Sequence, residues 1–151
     1  MAGVTIHAGC IVVGEAGVLI RGPSGAGKSA LARQIIGAAR ARGVFAQWVA
    51  DDRVRLERAH ERLLARPVPA IAGLSEIRGW GIVAGAFEPA AVVRLVVDCL
   101  TEPPERHPGA EHRRARLEGL TLPRIAGLMG DTLVDLALAR LAGRDDAIGS
   151  R

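Results

Sequence analysis

The sequence predicts an α/β fold, and three observations predict it. Two β-rich runs, "VTIHAGCIVV" (4–13) and "GVLIRG" (17–22), are separated only by "GEA", the pattern of adjacent strands or a hairpin. A helical repeat, "KSALARQIIGAARARG" (28–43), follows a glycine-rich loop. Further β-rich runs come after it, and it is the single clear helix before residue 60. A strand-rich mixed assembly and a more regular parallel sheet both satisfy these observations.

Each element has its own warrant. In 28–43, Leu31, Ile35, Ala38 and Ala39 recur at helical spacing, and Gly43 supplies the stop. "VFAQWVA" (44–50) is a short apolar strand that runs straight into Asp51 and Asp52. "RVRLER" (53–58) alternates polar with apolar, as a half-exposed strand does. Pro67 and Pro69 then interrupt "RLLARPVPAIAGL", and glycines punctuate "SEIRGWGIVAG" (75–85). "AAVVRLVVDCL" (90–100) is the strongest strand signal of the second half, and "TEPPERHPGAEH" (101–112) is a loop by composition. "DTLVDLALARLAG" (131–143) fits a closing helix with Asp131 as N-cap and Val134, Leu138 and Leu141 as its stripe. The residues from 143 to 151 read as a loose tail.

Composition narrows the class. A chain of 151 residues with 49% hydrophobic and 24% charged residues is expected to form one domain, 1–151, with a sizeable core. Aromatics make up only 3%, so aliphatic side chains must fill that core. No run reaches the roughly 20 apolar residues of a membrane helix, and the N-terminus lacks a secretory pattern. Cys10 and Cys99 lie in apolar runs and are expected to be buried, reduced thiols of a cytoplasmic protein. The net charge of +4 does not argue for nucleic acid, because arginines are scattered and stacking aromatics nearly absent. The densest cluster, "HRRAR" (112–116), reads as a solvated face, with an acidic partner as the sharper alternative. His107, His112 and Cys99 match no standard zinc spacing.

One stretch carries chemistry. "GPSGAGKS" (22–29) satisfies G-x-x-x-x-G-K-[ST] in full, with an apolar strand before it and a helix after it. Glycines let a strand turn sharply into a helix while backbone N–H groups face phosphate oxygens, and the helix N-terminus adds positive potential. Gly22, Pro23, Ser24, Gly25, Ala26, Gly27, Lys28 and Ser29 are therefore expected to bind nucleotide, with Lys28 on the outer phosphates and Ser29 on Mg²⁺. Lys28 is the only lysine among 20 strongly basic residues. A compact ammonium suits that tight loop, where a planar guanidinium would not. P-loop proteins also hold Mg²⁺ with a carboxylate at the end of an apolar strand, and Asp51–Asp52 supply one. The second carboxylate could accept a proton from an attacking hydroxyl.

These motifs occur in an order that resembles a known family. "IHAGCIVVGEAGVLIRGPSGAGKSALA", then "VADDRV", then "SEIRGWGIV" are similar to the catalytic domain of HPr kinase/phosphorylase, in the short alphaproteobacterial form, over about residues 4–140. The resemblance implies a strand-rich mixed-sheet P-loop fold like that of phosphoenolpyruvate carboxykinase. It implies ATP- and Mg²⁺-dependent phosphorylation of a serine on the phosphocarrier HPr or its nitrogen-system relative, and the family's hexameric assembly. By the same resemblance His7 matches an active-site histidine, and one of Asp51 and Asp52 the general base, with Asp52 preferred and Asp51 near the metal. Glu76 matches a further Mg²⁺ contact and Arg106 a catalytic arginine. On their own, His7 reads equally as a half-buried strand histidine, and Glu76 with Arg78 as a surface pair.

The chain also departs from the family. Ala30 stands where an acidic residue usually follows the loop serine, and Trp80 where leucine packs. The glycine- and arginine-rich C-terminal loop tied to phosphorolysis has no counterpart in "TLPRIAGLMGDTL", which carries only Arg124. Kinase activity with weak or absent phosphorolysis is the expectation. A non-catalytic ATP sensor and a small-metabolite kinase are the alternatives.

Overall fold

The computed structural model describes residues 3–77, 79–104, 106 and 109–143. Arg78, His107 and the predicted tail beyond residue 143 lie outside them. Strands β1 (Val4–His7), β2 (Gly9–Val13) and β3 (Ala16–Arg21) lead into helix α1 (Lys28–Ala41). Strands β4 (Ala46–Ala50), β5 (Arg53–Ala59) and β6 (Arg62–Pro67) follow, then the pair β7 (Leu74–Ile77) and β8 (Gly81–Ala84). Strands β9 (Ala91–Leu100), β10 (Arg114–Leu117) and β11 (Leu120–Leu128) precede helix α2 (Asp131–Leu141).

The assembly is the mixed one. Only β3–β9 and β9–β11 run parallel, and the other pairings are antiparallel. β9 is long enough to serve both layers. Its first residues pair with β6 (Ala65↔Ala91), while the rest lies between β3 (Arg21↔Asp98) and β11 (Ala126↔Asp98). Opposite Gly17 and Val18 the register of β9 skips Arg94, pairing Val93 and then Leu95. That extra residue reverses the alternation of faces, since strand side chains repeat every second residue. Val93 accordingly joins one core, and Leu95, Val97 and Cys99 join the other.

The first core holds Ile11, Val18, Ile20, Leu95 and Val97 against Leu31 and Ile35 of α1 and Val134 and Leu138 of α2. The second lies between the sheet layers and holds Leu19, Val49, Val54, Leu56, Leu63 and Val96. A strand with both faces buried reads as an unbroken apolar run, which is how β2 and β3 appear in the sequence. The aliphatic composition is thus spent on two interfaces of one sheet.

Several sequence expectations need revision. The run 4–13 is two strands, because the chain crosses between layers at buried Ala8; β1 pairs with β5 and β2 with β3 and β4. Pro67 ends β6 instead of breaking a loop, and Pro69 opens a single 3-10 turn, Pro69–Ile71. The segment 75–85 is largely a β7–β8 hairpin. Trp80 does not pack; it is 82% exposed beside the hairpin turn. Asp131 is the first residue of α2, with Gly130 at the cap, so its carboxylate acts on the helix dipole and not as a cap. Among the described residues no helix is long and apolar enough to cross a membrane.

Both cysteines are buried, as expected. Burial pushes the Cys10 thiol up to about 12 and raises Cys99 as well, the nearby Lys28 ammonium opposing it. The thiolate is the reactive form. A disulfide reagent at pH 8 is therefore expected to titrate no thiol in the folded protein and both after denaturation. Rapid native labelling would contradict the burial of β2 and β9.

Candidate active site

The site begins where β3 ends. After Arg21 the chain leaves the sheet at Gly22, with φ 155, and an added Cβ there would lie 2.7 Å from the Cys99 carbonyl. The loop closes at Gly27, with φ 93, where a Cβ would meet Met129 at 2.9 Å. Both ends demand glycine for conformation and for room. No side chain caps α1, and no acidic residue sits in its first turn. Its first N–H groups therefore face the loop.

Lys28 folds back over this loop. Its Nζ donates to the carbonyls of Gly22 at 2.8 Å and Pro23 at 3.2 Å. Two of three ammonium donors are used, which fixes the charge over the cradle and leaves one donor to point at a ligand.

Two acid pairs flank the cradle. Ser29, in the first turn of α1, donates from Oγ to Asp51 Oδ1 at 2.7 Å, bringing a hydroxyl and a carboxylate together at the ends of α1 and β4. Asp52 is next in the chain but takes the left-handed conformation, φ 71, which an aspartate tolerates better than most residues. The turn aims the two carboxylates at different partners. Asp52 Oδ1 accepts from His7 Nε2 at 2.5 Å, and His7 sits at the end of β1, opposite Arg53 in register. The side chains of this second pair are 48% and 65% exposed, open to solvent.

The remaining expected residues are not brought into contact with these pairs. Glu76 lies exposed on β7 and makes no hydrogen bond or ion pair among the described residues. Its neighbours Leu74, Ser75 and Ile77, with Trp48, Asp51 and Phe87, line a cavity of about 200 Å³ beside the cradle. Glu76 itself is not part of that lining. Arg106 is exposed and has no such partner among the described residues either. No group of three or more metal-ligating side chains occurs among them, so a metal here would rest on few protein oxygens.

The structure gathers residues to which the sequence assigns no role, Arg124 standing out only as the sole arginine of 121–133. Arg21, Asp98 and Arg124, on the three neighbouring parallel strands, form one ion cluster at the root of the cradle. A lone acid in an apolar run and arginines among many offer no signal to single them out.

Comparison with known proteins places the chain in a family. The family described as HPr Serine kinase C-terminal domain matches residues 1–89. The chain is 34% identical over 131 residues to the HPr kinase/phosphorylase of Geobacillus thermodenitrificans (strain NG80-2), covering 80% of this chain and 40% of that protein. The HPr kinase/phosphorylase of Listeria monocytogenes serotype 4a (strain HCC23) is 31% identical over 133 residues, covering 81% and 41%. The chain thus spans about 40% of the length of these curated relatives. Among solved structures, the Hpr(Ser) kinase/phosphatase from Coxiella burnetii superposes with a TM-score of 0.71 at 26% identity, covering 97% of this chain and 99% of that one. With the family model matching residues 1–89, more than half of the chain, and relatives up to 34% identical over 131 residues, the chain belongs to the HPr Serine kinase C-terminal domain family.

Proposed function

We propose that this protein transfers the γ-phosphoryl group of ATP, with Mg²⁺, to a serine hydroxyl of the phosphocarrier HPr or its nitrogen-system relative, in the cytoplasm. The single observation that carries the reading is the division of labour between adjacent carboxylates: Asp51 meets Ser29 beside the cradle, and Asp52 meets His7 on the open side.

The residues suit in-line transfer, where positioning and charge neutralisation supply most of the catalysis. The glycine loop and the N-terminus of α1 hold the phosphates, and Lys28, held by the loop carbonyls, turns its remaining donor to the outer phosphate oxygens. Ser29 and Asp51 are hard oxygen donors set together, which fits Mg²⁺ with its few protein ligands. Bound there, the ion would neutralise charge on the phosphates. Asp52 takes the proton of the attacking serine. His7 donates to Asp52 Oδ1, holding that carboxylate in place and leaving its second oxygen for the hydroxyl. Arg106, itself exposed, would add positive charge on the substrate side.

The absence of an arginine-rich counterpart in 121–133 supports weak phosphorolysis. The test is incubation with labelled ATP, Mg²⁺ and each carrier, with and without inorganic phosphate. Label on a carrier serine is the expected result. Tight ATP binding with no label on either carrier would favour a nucleotide sensor instead.

A further inference from the structure

We propose that Arg21, Asp98 and Arg124 form a positioning bracket, in which one carboxylate sets the root of the phosphate loop through Arg21 and the substrate-side segment through Arg124. The inference rests on the phosphoryl-transfer reading for its second arm only.

Asp98 is the hub. Arg21 Nε and Nη2 donate to its two carboxylate oxygens, each at 2.8 Å, in the paired geometry that fixes orientation as well as distance. Arg124 Nε donates to the same Oδ2 at 2.5 Å. The Asp98 side chain is only 13% exposed, and those of Arg21 and Arg124 are 31% and 21% exposed. Burial alone would raise the Asp98 carboxyl, but the hydrogen bonds and charges of Arg21 and Arg124 outweigh it and hold the group below its ordinary range. The carboxylate is therefore ionised at working pH and permanently engaged.

The location gives the cluster its meaning. Arg21 is the last residue of β3, and Gly22, which follows, is the residue whose carbonyl holds Lys28. Gly22 also packs against the Cys99 carbonyl, one residue from Asp98, leaving no slack between loop and β9. The Arg21–Asp98 pair, directly opposed in the parallel register, thus fixes where the loop departs from the sheet. Arg124 reaches the other way, and its Nη1 donates to the His112 carbonyl at 2.8 Å. His112 lies in the 3-10 turn Ala110–Arg113, which closes the connection that carries Arg106. A purely structural ion pair between strands would need neither the paired geometry at the loop root nor the second bond from Arg124 to the turn.

The two arms predict different defects. Arg21→Met is expected to weaken Mg·ATP binding about tenfold and leave the transfer rate at saturating ATP within about threefold, the scale on which loss of a residue that orients binding groups is felt. Arg124→Met is expected to do the reverse, lowering the saturated rate about tenfold with nucleotide affinity intact. Arg124→Lys keeps a cation on Asp98 but cannot also reach His112, so it should retain the fold and show the same rate loss. Asp98→Asn should show both defects. Binding is measured by nucleotide titration, rate by carrier labelling, and folding by circular dichroism and melting temperature.

If Arg21→Met and Arg124→Met each lose affinity and rate by equal factors, or if losses follow the melting temperature alone, the cluster is merely structural and the proposal is overturned. If wild-type protein labels no carrier, the proposed function fails. The Arg21 arm is still decided by the titration, which needs no carrier: unchanged affinity in Arg21→Met overturns the bracket by itself.

Discussion

Asp52→Asn is expected to lower phosphoryl transfer by roughly 10²–10⁴-fold, the usual contribution of a positioned general base. Mg·ATP affinity should stay within about threefold, because Asp52 reaches His7 and not the cradle. The substitution is close to isosteric, and asparagine shares the tolerance for the left-handed backbone at φ 71. Its amide oxygen can still accept the His7 hydrogen bond. What it loses is the ability to take up the serine proton, so the defect should fall on the rate at saturating ATP. Single-turnover labelling of the carrier beside nucleotide titration measures both quantities. A variant that transfers phosphate at the wild-type rate would remove Asp52 from the mechanism and leave the His7–Asp52 pair a surface contact.

Lys28→Ala is expected to reduce both nucleotide affinity and transfer, with a combined loss on the order of 10³-fold or more, as for other preorganised cations at a developing phosphate charge. Nothing else in the described cradle places a cation over the Gly22 and Pro23 carbonyls. The fold should survive, because Lys28 lies at the surface end of α1 and the helix is held by Leu31, Ala32, Ile35, Ile36 and Ala39. Lys28→Arg should rescue little, since a planar fork cannot enter a loop whose ends leave no room for a single added carbon. Nucleotide titration and carrier labelling check the prediction, and unchanged values for Lys28→Ala would dismiss the cradle as a phosphate site.

Much of the site is visible in the primary sequence because backbone geometry forces particular residue types there. Gly22 and Gly27 stand where a Cβ would collide, and apolar β4 runs directly into Asp51 and Asp52. The same holds for β3, α1, β9 and α2, whose burial writes either unbroken or helically spaced apolar residues. Pro67, the last residue of β6, and Pro123, which lies just before the residues of β11 paired with β9, hide those two strands, because proline reads as a strand breaker. The division of roles between Asp51 and Asp52 depends on one left-handed residue, and no local pattern announces that. His7 joins them only through pairing of β1 with β5, a contact between distant residues that spacing does not encode. The Asp98 hub is equally non-local.

The long-range parallel pairing of β3 has a consequence for how the molecule comes into being. The family model matches residues 1–89, yet the strand that leads into the glycine-rich loop is flanked on one side by β9, which starts at Ala91. A nascent chain that has emerged only through the recognisable half still lacks the wall against which Gly22 turns. On the proposed reading, a chain ending before β9 is expected to bind nucleotide poorly, because a pairing this distant in sequence must close before the loop is set.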